Sequence, residues 1–160
     1  MAWLIIIFVV AVVLSPIMWF KQSPKQKNKG VLREAARKRN LQVSLDRRPD
    51  AREDESSLTV VCYQLYCGGK TSADNWVLHR HSQRGWDSDW DSWRWYDNQA
   101  SAEWHPVLAE TINGMPLGVT AVICSDNSVG MVWDESGGLD QLHLIHEKLQ
   151  QLRKQWQNNY

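Results

Sequence analysis

Leu58 to Cys67 reads LTVVCYQLYC. Its β-branched and aromatic residues fall on both parities, with Val60, Cys62 and Tyr66 alternating against Val61, Tyr63 and Leu65. A strand that is apolar on both faces belongs in the middle of a sheet. Gly68-Gly69 ends it, and Trp76 to His81 (WVLHRH) predicts an antiparallel neighbour. Gly118–Cys124 (GVTAVIC) and Val129–Trp133 (VGMVW) flank Ser125-Asp126-Asn127-Ser128, which is hairpin-turn chemistry. Upstream, Leu41, Val43 and Leu45 alternate with Gln42 and Ser44, the pattern of a half-buried strand.

Helical periodicity surrounds these strands. Val31 to Arg39 carries Leu32, Ala35 and Ala36 on one face, and Asn40 suits a left-handed cap after it. Trp104, Leu108 and Ile112 form an i, i+4, i+8 stripe with Pro106 in the first turn. Leu142, Ile145, Leu149, Leu152 and Trp156 repeat at spacings of three and four. Strands and helices in this order predict an α+β domain: a mostly antiparallel sheet with helices packed on one face. Asp46 to Ser57 (DRRPDAREDESS) has no apolar residue larger than alanine and predicts a solvated loop.

Ahead of the domain, Ala2 to Phe20 (AWLIIIFVVAVVLSPIMWF) is nineteen residues without a charge. A helix of that length spans a bilayer core of about 30 Å. Met1-Ala2-Trp3 lacks the basic start of a cleavable leader. The expected organisation is therefore a single transmembrane helix over 1–20, a basic juxtamembrane linker over 21–30 and the α+β domain over 31–160. Residues 21–40 hold eight basic side chains against the single Glu34, a net of +7. The positive-inside rule then places the amino terminus outside and the domain in the cytoplasm. Residues 41–160 carry a net of −7, so the zero formal charge of the chain conceals a separation. Expected lipid contacts are Trp3 and Trp19 at the two interfaces, with Lys21, Lys25, Lys27, Lys29 and Arg33 against anionic headgroups.

A composition of 43% hydrophobic and 22% charged residues excludes a disordered polymer. Ten tryptophans is the abnormal count. Four of the ten lie in Gly85–Asn98 (GWDSDWDSWRWYDN), where Trp86, Trp90, Trp93, Trp95 and Tyr96 stand among Asp87, Asp89, Asp91 and Asp97. Tryptophan and tyrosine dominate interface hot spots, which makes those five the candidate partner-binding residues. The competing reading is a strand whose alternate aromatics fill the core. Asp87, Asp89 and Asp91 fit the first three ligand positions of an EF-hand loop. Ser92 replaces its glycine and Asn98 its closing glutamate, so calcium is not expected.

No Cys-x-x-Cys, His-Glu-x-x-His or Gly-x-Ser-x-Gly motif occurs, and no metal site, cofactor or catalytic residue is assigned. The basic stretch 21–52 lacks aromatic residues for base stacking, so nucleic acid is not an expected partner. Cys62, Cys67 and Cys124 are expected as free thiols in a reducing compartment. A membrane-tethered enzyme or thiol protein using Cys62 or Cys67 with His79 or His81 is the alternative to a binding role.

The run LIIIFVVAVVLSPIMWFKQSPKQKNK over residues 4–29, with Pro24-Lys25-Gln26-Lys27 after the apolar stretch, is similar to the start of the YajC family. With LREAARKRNLQVSL (32–45) and the tryptophan-rich middle, the chain also resembles gammaproteobacterial membrane proteins labelled YajC-like. YajC is a single-pass inner-membrane accessory subunit of the Sec preprotein translocase. The resemblance implies a non-enzymatic, inner-membrane accessory or adaptor protein whose cytoplasmic domain binds a membrane complex such as Sec. It covers about residues 4–35, and no functional residue of the family is carried over.

Overall fold

The structure is a computed structural model that describes residues 3, 5–10, 24–56, 58–68 and 75–159. The chain divides into two units, 1–31 and 32–160. In the first, Trp3 and residues 5–10 are helical. No helix among the described residues is long and apolar enough to cross a membrane. That corrects the expectation of a transmembrane helix over 1–20, of which residues 11–20 lie outside the described residues.

The residues expected as a linker, 21–30, are helical from Pro24 onward. Helix α1 runs Pro24–Lys38. A proline at a first helical turn lacks only an N–H that would have no intrahelical partner, so Pro24 can start the helix. Asn40 takes φ 59° after α1, and its neighbours fold back through Arg39 N–H to Ala36 O and Leu41 N–H to Ala36 O. This is the left-handed stop its residue type permits.

The second unit is built on one seven-stranded antiparallel sheet. Its strands are β1 (Gln42–Arg47), β2 (Thr59–Tyr66), β3 (Trp76–His79), β4 (Trp86–Asp87), β5 (Arg94–Tyr96), β6 (Val119–Ser125) and β7 (Ser128–Trp133). The spatial order is β1-β2-β7-β6-β3-β5-β4. Helix α2 (His105–Ile112) and the long α3 (Leu139–Asn159) follow β5 and β7.

Register explains the two faces. Val43, Tyr63, Met131, Val122, Leu78, Trp95 and Trp86 stand in one row across all seven strands. Directly opposed residues share a face, so this row marks the side on which the helices lie. Leu108 from α2, the Leu142–Trp156 seam of α3 and Leu32 and Ala36 of α1 join it in one core. The neighbouring row, Ser44, Cys62, Val132, Ala121, His79, Arg94 and Asp87, lies on the opposite face. There Cys62, Ala121 and Val132 form a small separate cluster.

The tryptophan surplus is largely a core device. Trp76, Trp93, Trp95, Trp104, Trp133 and Trp156 are all buried. Trp76 meets Trp95 edge-on at 5.9 Å and Trp104 at 5.1 Å. Edge-to-face contacts of this kind add about 0.5–1.5 kcal/mol beyond area burial. Lys148 is also buried within α3, where its Nζ donates to Glu110 O and Asn113 O, each at 3.1 Å. A cation there satisfies carbonyls at the end of α2, where the helix dipole is negative.

Candidate functional site

The tryptophan-rich segment forms the β4–β5 hairpin at one edge of the sheet. Gly85 enters it at φ 89°, and a Cβ there would run into the Trp95 carbonyl, so only glycine fits. Ser88 ties the tip: its Oγ donates to Trp93 O at 2.8 Å and accepts from Trp90 N–H at 3.3 Å. Ser92 and Asp97 hold φ of 68° and 71°, a conformation that L residues seldom adopt and that tight tips impose.

Period-two alternation then decides which aromatics turn inward. Trp93 and Trp95 are 4% and 1% exposed, and both belong to the core. Arg80 stacks its guanidinium over Trp93 at 5.0 Å while donating to Val119 O and Leu117 O, each at 2.8 Å. Trp90 is half-buried, with its ring 6.1 Å from Trp95 and 5.6 Å from His105. Trp86, opposite Trp95 on the edge strand, is 43% exposed. Tyr96 lies on the other face of the sheet, where its ring meets His79 edge-on at 5.8 Å. Of the five expected contact residues, Trp86 is exposed and Trp90 partly so. Tyr96 lies on the sheet face opposite Trp86, and Trp93 and Trp95 hold the fold.

Beside Trp90 lies a polar cleft of about 450 Å³. Its walls include Asp87, Asp91, Ser92, Gln83 and Arg94. Arg94 lines the cleft, pairing with Asp87 at 2.7 Å and with Gln83 Oε1 at 3.2 Å. Asp89 pairs with His105 at 3.1 Å and keeps a 70% exposed side chain.

A second polar cluster went unseen in the sequence. The stretch Asp46–Ser57, expected as a solvated loop, buries Asp50 to 1% exposure. Arg48 Nε holds Asp50 Oδ1 at 2.8 Å, and Arg48 and Arg84 both grip Glu55. Burial works to raise the Asp50 pKa, but the Ser82 hydroxyl and Arg48 outweigh it and hold the carboxyl below its ordinary range. Beneath, His79 Nδ1 accepts from His81 N–H at 3.3 Å and its Nε2 faces Arg84 O at 3.2 Å. That pattern defines a neutral imidazole with its proton on Nε2. Burial lowers the pKa of His79, and lowers that of His81 to about 4. The signal missed was long range: Asp50 and Arg84 stand thirty-four residues apart.

The thiol reading meets a different geometry. Cys62 and His79 occupy one row with Val132 and Ala121 between them, three strand spacings or about 14 Å apart. A base that far away cannot take a proton from sulfur. Burial pushes the Cys62 thiol up to about 12 and the Cys67 thiol up to about 11, so both stay protonated.

Among the expected lipid contacts, Arg33 is committed elsewhere. Its guanidinium pairs with Glu135 at 2.6 Å. Trp3, Lys27 and Lys29 are exposed. Trp19 and Lys21 lie outside the described residues, as does the side chain of Lys25. Among the described residues no cluster of histidine, cysteine and carboxylate side chains is placed to hold a metal ion. Compared with known proteins, the chain matches no protein-family model, no curated protein and no solved structure.

Proposed function

We propose that this chain is a non-enzymatic accessory or adaptor protein of the bacterial inner membrane, whose α+β domain binds a protein partner from the cytoplasmic side. The observation that carries the reading is Trp86, an indole 43% exposed on the edge strand of the same hairpin in which half-buried Trp90 lines a polar cleft. An exposed indole anchored on a rigid core is the usual centre of an interface, with polar groups at its rim. The net +7 of residues 21–40 supports a place against anionic lipid. The YajC resemblance makes the Sec translocase the first assembly to test.

The alternative of a thiol enzyme draws less support. Its two candidate nucleophiles are held protonated, and Cys62 stands about 14 Å from His79. The test is capture of the tagged full chain from mild detergent, comparing wild type with Trp86→Ala and Trp90→Ala. The proposal expects a stoichiometric companion that both variants lose while their unfolding temperatures stay near wild type. Companions retained in full by both variants would remove the surface from consideration.

A further inference from the structure

We propose, resting on that reading of Trp86 and Trp90, that the partner segment laid on this surface carries lysine or arginine side chains. Two features of the surface point to a cation. The first is aromatic. Trp86 presents a free edge of the sheet and Trp90 borders the cleft, and an indole face attracts a guanidinium or ammonium through its quadrupole. The chain already makes this contact internally, with Arg80 over Trp93 at 5.0 Å in the same hairpin.

The second feature is the exposure of the charges. Nearby cations are already paired within the domain. Arg80 donates to the carbonyls of Val119, Pro116 and Leu117. Arg84 is bound to Glu55 and the Asp50 carbonyl, and Arg94, in the cleft wall, to Asp87 and Gln83. The carboxylates keep more exposure: Asp91 and Asp97 are exposed, and the side chains of Asp87 and Asp89, paired with Arg94 and His105, are 86% and 70% exposed. Gly85–Asn98 thus carries four exposed carboxylates against one arginine, which Asp87 holds. Asp91 and Trp90 line the cleft together, so a cation on the indole also meets a carboxylate. A cleft of about 450 Å³ with polar walls accepts an extended guanidinium-tipped side chain better than an apolar anchor. An anionic partner segment would meet like charge at Asp91 and Asp87 in the cleft and at Asp89 beside it.

The probe is a fluorescent octa-arginine peptide, read by anisotropy against the full chain in mild detergent at physiological salt. An octa-citrulline peptide of equal length supplies the uncharged control. Asp89→Asn/Asp91→Asn removes two charges at the site, and Glu53→Gln/Asp54→Asn removes two exposed charges that do not line the cleft. Asp91→Asn alone is the second site variant, since it leaves the His105–Asp89 contact intact. The expected result is arginine-specific binding that weakens at least fivefold in the double site variant, at least twofold in Asp91→Asn, and less than twofold in Glu53→Gln/Asp54→Asn. Equal weakening by the site variant and by Glu53→Gln/Asp54→Asn, citrulline binding as tight as arginine binding, or no arginine binding would overturn the inference.

The same variants separate this inference from the reading beneath it. If capture of the natural companion is lost in Trp86→Ala but unchanged in Asp89→Asn/Asp91→Asn, the surface stands and its cationic partner is overturned. If Trp86→Ala itself leaves capture unchanged, the surface falls and the inference with it.

Discussion

Arg33 holds Glu135 in a two-pronged grip, Nε to Oε1 at 2.6 Å and Nη2 to Oε2 at 2.9 Å, across 102 residues of sequence. Tyr63 on β2 donates to the same Oε1 at 3.1 Å. The Glu135 side chain is fully buried, and its backbone sits at φ 61°. Burial, then the Glu135 charge, raises the Tyr63 pKa, so its hydroxyl stays a donor. Helix α1, strand β2 and the β7–α3 connection meet at this carboxylate.

Arg33→Ala is therefore expected to destabilise the second unit by about 2 kcal/mol. An exposed pair contributes at most about 1 kcal/mol, and breaking a fully buried one costs about 3–5. The Arg33 side chain is 35% exposed, which places this pair between them. Urea unfolding of the full chain measures it, and a loss under about 0.5 kcal/mol would show the pair to be ornamental. Arg37→Ala, an exposed neighbour on α1, is the control.

The five aromatics of the hairpin should divide by burial. Trp95→Ala empties a fully buried site and is expected to cost about 3–5 kcal/mol. Trp86→Ala, on the exposed edge, should change stability by under about 1 kcal/mol. Thermal unfolding followed by far-ultraviolet dichroism distinguishes the two.

Gly85→Ala places a methyl group against the Trp95 carbonyl at a positive φ. Backbone cannot retreat as a flexible side chain can. The expected loss exceeds about 2 kcal/mol, and Gly114→Ala, with open space around it, is the milder comparison.

Acid should loosen the cluster under the 46–57 loop. The folded pKa values of His79 and His81 lie below their unfolded value near 6.5, so protons bind the unfolded chain better. Their stabilisation is complete above about pH 6.5 and falls as pH drops toward 4. Asp50, whose folded pKa is depressed, contributes above its unfolded value of 3.8 and loses that contribution only at lower pH. Unfolding free energies at pH 7.5, 6, 5 and 4.5 should therefore decline through the histidine window. His81→Gln should flatten the decline.

Much of this fold is legible in the sequence, because periodicity sees what is local. The α3 seam, the Trp104–Ile112 stripe and the Val119–Trp133 hairpin each span one regular element. Strands β4 and β5 are two and three residues long, too short for a period to declare itself. The alternation Trp93-Arg94-Trp95-Tyr96 shows that two aromatics point one way. It does not show which way the core lies, since that depends on pairing with β3 seventeen residues earlier. The burial of Asp50 is illegible for the same reason: beside the local Arg48, Ser82 and Arg84 reach it from more than thirty residues away. The apolar stretch 2–20 has the composition of a membrane span, yet no helix among the described residues has the length and apolarity for one.

The most direct test of the account replaces Trp86 with the photocrosslinking residue benzoylphenylalanine in the full chain, expressed in bacterial cells. Tyr66 is the matched comparison: it is 57% exposed and lies on the opposite face of the sheet. The account predicts a discrete crosslinked adduct from position 86, diminished by Asp89→Asn/Asp91→Asn, and none from position 66. Equal adducts from both positions, or none from position 86, would contradict it.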